Sequence, residues 1–286
     1  TEFFSADWLV HSKFLADSVL PHHPSEKPLI VQIFGKDPEM FVQAAKIIEK
    51  YDVAWIDINM WCPAKKVINS GHGSGLIINS DTAFEIVRRL SEATHLPISV
   101  KTRLGWNWSE SLIEFCKWLE AAGANLITVH GRTTKQAYTG LADFTQIYEL
   151  KKALKIPVIC NWDIKNIADW MSKLKDLDGF MIWRQSFWNP WAFDMNGYIP
   201  TLWEILSMME EHAALLIETK WVRKWTLDIR KHLVQYIKWF PWVSSFRKRL
   251  VQIESLESLQ EIIWDIRTEF SDSLNLKVEQ IEENSH

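Results

Sequence analysis

The chain has 286 residues, 47% of them hydrophobic, and a formal net charge of −4. This length allows one large domain, or a barrel with a smaller module. No run of about 18 apolar residues occurs and the N-terminus has no signal-peptide pattern, so neither a membrane span nor secretion is expected. The three cysteines, at positions 62, 116 and 160, lie far apart, which argues against a disulfide framework and favours a reducing, cytoplasmic compartment.

Strand and helix patterns alternate through the first two thirds of the chain. Apolar, β-branched runs predict strands at 29–34, 53–58, 98–102, 126–130, 157–160 and 179–182. Helices are predicted at 39–50, 81–92, 109–122, 144–154 and 167–174. Asp37, followed by Pro38, is the predicted cap of the first helix. The glycine-rich stretch 71–75 is predicted to be a flexible loop, and the alternation as a whole predicts a parallel α/β fold.

Polar side chains lie within or just after the carboxyl-terminal part of each predicted strand. They are Gln32, Asn59, Cys62, Lys101, Arg103, His130, Arg132, Asn161, Asp163 and Arg184. Any one of them could do no more than cap its strand. A ring of such groups at successive strand ends is typical of a (β/α)8 barrel, whose active site lies at that face, and less so of an open sheet. Cys62, beside Asn59, is a candidate reactive thiol there, with a buried structural cysteine as the alternative.

After Pro200 the pattern becomes helical, with helices predicted at 202–219, 222–238 and 244–270. The predicted domains are therefore a barrel at 1–199, a helical domain at 200–270 and a disordered acidic tail at 271–286. Residues 220–249 carry nine Lys and Arg but only one acid, Asp228. Such a single-sign patch in an acidic protein indicates binding to a phosphate backbone.

Eight segments together resemble one known family. They are Val31–Gly35, Asp57–Pro63, Val100–Trp106, Val129–Thr133, Asn161–Ile164, Met181–Arg184, Asn189–Trp191 and Ile229–His232. The chain resembles the tRNA-dihydrouridine synthases, flavin enzymes with a (β/α)8 barrel and a C-terminal helical tRNA-binding domain. The resemblance implies FMN as cofactor, NADPH as electron donor and tRNA as substrate. A monomer that does not bind a membrane is the expected state.

The resemblance also implies residue roles. Reduced FMN would deliver hydride to C6 of a uridine, and Cys62 would protonate C5. An ordinary thiol, with a pKa of about 8.5, keeps its proton at neutral pH and suits that role. The implied FMN contacts are Gln32, Asn59, Lys101, His130, Asn161, Trp162, Asp163, Trp183 and Arg184. The implied tRNA contacts are Arg103, Arg132, Arg230, Lys231, Arg247 and Lys248.

Two features depart from the family pattern. No segment matches the first strand of the family, so the barrel is expected to lack its first β/α unit. In addition, Trp61, Trp162 and Trp183 stand where the family motifs have glycine. The composition agrees with this, since the chain has 17 Trp and only 10 Gly. Because glycine permits positive φ and close approach of a ligand to the backbone, these tryptophans predict weak FMN binding.

Two other functions remain possible on the sequence. A catalytically silent RNA-binding barrel without flavin would explain the tryptophans. Another FMN barrel, of the dihydroorotate dehydrogenase kind, would explain the strand ends. The basic helical domain and the Asn59 to Pro63 arrangement argue against the second of these.

Overall fold

A computed structural model describes residues 1–109, 111–161, 163–164, 166–183, 185–187, 189–219, 222–238 and 240–277. Its seven strands are β1 (Phe3–Ser5), β2 (Ile30–Phe34), β3 (Trp55–Asn59), β4 (Ile98–Arg103), β5 (Leu126–His130), β6 (Val158–Asn161) and β7 (Gly179–Met181). They form one sheet in chain order, and each pair of neighbours is parallel. Parallel strands in chain order with intervening helices are the arrangement of a TIM-type barrel, which confirms the predicted fold class.

The helices between the strands are α1 (Ala6–His11), α2 (Lys13–Val19), α3 (Pro38–Ile48), α4 (Lys65–Asn69), α5 (Ser80–Ala93), α6 (Leu112–Ala121), α7 (Thr145–Ala153) and α8 (Ile167–Lys173). Asp37 caps α3 as predicted, since its carboxylate accepts the backbone N–H of Glu39 at 2.9 Å. The sequence patterns missed β1, α1 and α2. Their only local signals are the short side chains of Ser5 and Ser12, which cap α1 and α2.

The core of the barrel unit follows from two periodicities. Alternate strand residues such as Ile56 and Ile58 are fully buried, as period-two patterning requires. In α3, the buried residues Phe41, Ala45 and Ile48 recur at helical spacing, so that one face of the helix packs on the core.

The rest of the chain forms a second, helical unit. Its helices are α9 (Leu202–Thr219), α10 (Val222–Tyr236), α11 (Arg247–Leu250) and α12 (Leu256–Glu269). Buried side chains that include Leu206, Ile229, Phe240 and Ile263 form its own core. The helix predicted at 244–270 is wrong as a single element. Ser255 starts a new helix there, because its hydroxyl accepts the N–H of Ser258 in a capping box.

The two compact units divide at positions other than the predicted boundary. The first comprises Thr1–Ile164 and Ser172–Met181, and the second comprises Lys165–Met171 and the chain from Ile182 onward. The segment 182–199, predicted as barrel, thus groups with the helical unit. Among the described helices, none combines the length and apolar character that a membrane crossing requires.

The beginning of the predicted tail is ordered. The N–H groups of Leu202 and Trp203 donate to the carbonyls of Leu276 and Leu274. Residues 271–277 are therefore tied to the start of α9, whereas 278–286 lie outside the described residues.

The glycine-rich loop is a packed element. Gly73–Ile77 form a 3₁₀ helix, and Gly73 to Leu76 are buried, so the prediction of a flexible loop is wrong. Gly73 has φ of +57°, and a Cβ there would lie 2.9 Å from the Cys62 carbonyl oxygen and 2.9 Å from Val67 Cγ1. Glycine therefore allows this loop to lie directly against the Cys62 backbone.

We expect Gly73→Ala to destabilise the protein by about 1–3 kcal/mol more than Gly71→Ala. Both positions have positive φ, but a Cβ at Gly71 would meet only the Lys36 side chain, at 3.5 Å. The comparison therefore separates the contacts with Cys62 and Val67 from the backbone strain. Urea denaturation followed by circular dichroism measures both losses, and equal losses would contradict the close packing.

Candidate active site

Four polar side chains lie fully buried at the carboxyl ends of adjacent strands. Asn59 ends β3, Lys101 lies on β4, His130 ends β5 and Asn161 ends β6, and each is 0% exposed. The sheet register pairs Asn59 with Lys101 and His130 with Asn161. The structure thus brings together four of the residues that the sequence assigned to one site.

A chain of hydrogen bonds leads to this site from Asp57. The Asp57 carboxylate accepts the Ser99 hydroxyl and the Gln32 amide, both at 2.6 Å. The Gln32 carbonyl oxygen in turn accepts the Asn59 amide at 2.9 Å. Burial raises the pKa of Asp57, while the Ser99 and Gln32 bonds and the Lys101 charge act in the opposite direction. The network fixes which way the Asn59 amide faces.

Asn59 then holds the loop that carries Cys62. Its side-chain oxygen accepts the backbone N–H groups of Trp61, at 3.3 Å, and Cys62, at 3.2 Å. On the other side of the loop, the Ser74 hydroxyl and N–H donate to the Cys62 carbonyl at 3.0 and 3.2 Å. The Cys62 backbone is thus fixed from two directions, and the residue is 7% exposed.

The Trp61 indole covers the polar strand ends. The Lys101 Nζ lies 3.6 Å from the centroid of the indole ring, and the His130 ring centroid lies 6.1 Å from it. Trp61 is only 3% exposed. Burial lowers the pKa of Lys101 well below its ordinary value, with Asp57 opposing and Arg103 adding to the shift.

The two arginines assigned to tRNA in the barrel are buried. Arg103 donates through Nε to the Trp61 carbonyl at 2.7 Å, and through Nη1 to the carbonyls of Thr133 and Ala137 at 3.0 and 2.8 Å. Arg132 donates to the Gly140 carbonyl and forms a 2.8 Å ion pair with Asp163. Both guanidinium groups therefore join loops of the barrel, and in this structure neither faces solvent.

The implied phosphate-binding group is only partly described. Asn161 donates to the Met181 carbonyl at 2.8 Å, and its side-chain oxygen is buried without a hydrogen bond from the described residues. Asp163, at φ +54°, accepts Arg132 and the Ala142 N–H. Trp183 packs against Phe187 in the second unit. Trp162 and Arg184 lie outside the described residues.

In the helical unit, the predicted tRNA contacts fall into two groups. Lys231 and Lys248 are exposed. Arg230 instead donates to the Ile253 carbonyl, and Arg247 to the Lys238 carbonyl. The two lysines thus lie at the surface of their unit, Lys231 with an ion pair to Asp228 at 3.9 Å, whereas the two arginines hold the turns of the same unit.

Sequence reasoning missed Ser99 and Ser74. Ser99 pairs with Asp57 in the sheet register, and Asp57, Asn59 and Lys101 share its inward face. Polar residues at every second position of a strand could have revealed this group. No sequence signal places Ser74 on the Cys62 carbonyl, since that contact depends on the fold of the 3₁₀ loop.

The parallel strands with convergent polar ends define a TIM-type α/β enzyme. Comparison with known proteins gives the family, because the model of the dihydrouridine synthase family matches residues 1–272. The chain is 35% identical over 275 residues to "Probable tRNA-dihydrouridine synthase 1" of Synechocystis sp., covering 92% of this chain and 77% of the relative. It is 33% identical over 263 residues to "tRNA-dihydrouridine synthase B" of Pseudomonas putida, covering 88% and 77%.

The chain belongs to the dihydrouridine synthase family, which confirms the predicted resemblance. The enzymes of this family are FMN-dependent oxidoreductases that reduce uridine in tRNA, with NADPH as reductant.

The described residues have the chemical groups that FMN requires, but they leave no room for its ring. Lysine and amide groups at the strand ends suit the polar edge of a flavin ring. However, Lys101 and His130 are fully buried, with the Trp61 indole lying against them. A ligand cannot touch these groups while the indole stays in place. The structure as it stands therefore does not fit the cofactor.

Replacement of Lys101 should change the pH dependence of stability. In the folded protein the Lys101 pKa is lowered, so the unfolded chain binds more protons at a pH between the two values. The Lys101 contribution to stability therefore rises with pH through this window, by about 1.4 kcal/mol per pH unit. We therefore expect the parent to gain stability relative to Lys101→Met as the pH rises toward about 10.4, the ordinary pKa of lysine.

Urea denaturation at several pH values measures this difference. Lys135→Met is the control, because Lys135 is exposed on a loop of the same unit. A parent-minus-Lys101→Met difference that does not vary with pH would contradict the lowered pKa.

Proposed function

We propose that this chain is a tRNA-dihydrouridine synthase, which reduces the C5–C6 double bond of uridines in tRNA. The loop from Asn59 to Cys62 carries the proposal. It lies at the polar strand ends of a chain that matches the family model through residue 272. In this family reduced FMN supplies the hydride. The chain itself has to hold the substrate and supply a proton.

Cys62 is the proton donor in this proposal. A general acid must keep a fixed position relative to the atom that it protonates. The Asn59 oxygen and Ser74 provide this by holding the Cys62 N–H and carbonyl. Because Asn59 is itself oriented through Gln32 and Asp57, we propose these three as positioning residues for the thiol.

The helical unit supplies the tRNA contacts in this proposal. Lys231 and Lys248 are exposed and belong to the basic stretch 220–249. Exposed ammonium groups bind phosphates through charge, independent of base sequence. We propose a cytoplasmic enzyme that acts as a monomer, since one chain carries both the thiol and the basic surface.

The activity test uses tRNA that lacks dihydrouridine, incubated with NADPH and a form of the protein that holds FMN. Nucleoside mass spectrometry should then detect dihydrouridine. If a flavin-loaded protein binds tRNA and leaves it unmodified, the chain is an RNA-binding barrel and the proposed activity is wrong.

In a form of the protein that holds FMN, Cys62→Ala should reduce dihydrouridine formation by about 10²-fold or more, because it removes the general acid. Reduction of bound flavin by NADPH should not change, since that step needs no proton from the thiol. Cys116→Ala is the control, as Cys116 is a buried thiol on α6 whose pKa is raised by burial. Full activity of Cys62→Ala would show that another group protonates C5.

The double variant Lys231→Gln, Lys248→Gln should weaken tRNA binding and lower the slope of log K against log salt by about two units. The control replaces Lys50 and Lys155, exposed lysines that precede β3 and β6 at the amino ends of the strands. Filter binding at several salt concentrations measures the slopes. An unchanged slope in the first variant would mean that Lys231 and Lys248 face solvent in the complex.

A further inference from the structure

We propose that the side chain at position 61 decides whether this barrel holds flavin, and that the Trp61 indole occupies the place of the flavin ring. The proposal rests on the proposed function, since it names the residue that controls access to that same site. It makes flavin and the observed indole position mutually exclusive.

The first argument is the position of the indole. It lies 3.6 Å from the Lys101 Nζ and 6.1 Å from the His130 ring, and the Arg103 guanidinium carbon lies 6.0 Å from it. These are three polar groups that strand ends β4 and β5 direct to one place. A planar, apolar, aromatic group thus lies against the polar groups that a flavin ring would need to reach.

The second argument is that the loop does not depend on the indole. The Trp61 N–H donates to Asn59, and the Trp61 carbonyl accepts Arg103 Nε at 2.7 Å. Both are backbone contacts that glycine would keep. Moreover, the non-glycine residues with positive φ in the described chain are Asp52, Ala137, Asp163 and Lys175. Trp61 is not among them, so the obstacle to a ligand is the volume of the ring and not backbone strain.

The test is titration of FMN with Trp61→Gly and Trp61→Ala, followed by quenching of flavin fluorescence. Displacing a buried tryptophan is costly, so its removal should raise FMN affinity by about a hundredfold. Trp108→Gly is the matched control, because Trp108 lies in a loop and is 74% exposed. It should bind FMN as weakly as the parent. Circular dichroism establishes that each variant is folded, and Trp61→Ala limits the added backbone freedom.

Two results would overturn the proposal. One is FMN binding by the parent as tight as that by Trp61→Gly. The other is a folded Trp61→Ala variant that still rejects FMN. The proposed function fails separately: if Trp61→Gly holds FMN and leaves tRNA unmodified, the role of position 61 stands and the tRNA activity does not.

Composition supports a second inference. Glycine averages about 7% of residues, or about 20 in a chain of this length, whereas this chain has 10 Gly and 17 Trp. By the resemblance to the family motifs, Trp61, Trp162 and Trp183 stand where those motifs have glycine. Tryptophan is usually well buried, yet Trp8, Trp108 and Trp264 are 66%, 74% and 68% exposed.

We infer that these tryptophans correspond to a codon that the source cell decodes as glycine. The codon UGA is translated as tryptophan in some genetic codes and as glycine in others. The test is peptide mass spectrometry of the protein isolated from its own cells, together with the codons at positions 61, 162 and 183. Glycine at UGA positions is the expected result. Tryptophan in the native peptide that contains position 61 would overturn the inference.

Discussion

The Asn59 side chain is the contact on which the active end of the barrel depends. Its oxygen accepts the N–H groups of Trp61 and Cys62, and its nitrogen donates to Gln32. Because Asn59 is fully buried, its polar atoms rely on hydrogen-bond partners inside the protein. The direction of one amide therefore determines the course of the loop, the position of the thiol and the position of the indole.

The barrel uses its own arginines to hold its loops. Arg103 and Arg132 are basic residues at strand ends, where an RNA contact was expected, but they donate to backbone carbonyls. Buried carbonyls without a partner are costly, which explains why these charges are bound within the protein. Exposed lysines such as Lys231 and Lys248 lie instead on the helical unit.

Trp61 connects the architecture of the site to its chemistry. The indole lies 3.6 Å from the Lys101 Nζ, and burial lowers the pKa of this amine. The position of the indole that helps to bury Lys101 also blocks a ligand from reaching it. The barrel has the polar groups of a flavoenzyme, and the Trp61 side chain alone determines whether a flavin can reach them. The surrounding hydrogen bonds need only the Trp61 backbone.

The sequence alone determined the alternation of strands and helices, the cap at Asp37, the family and the strand-end residues, because these follow from local periodicity and short motifs. Only the tertiary structure decided where those side chains point. Arg103 contacts Trp61 across 42 positions and Ser99 reaches Asp57 across the same separation. It also decided that a new helix starts after Ser255 and that residues 71–77 pack against Cys62. These outcomes depend on contacts between distant segments, which local propensity does not encode.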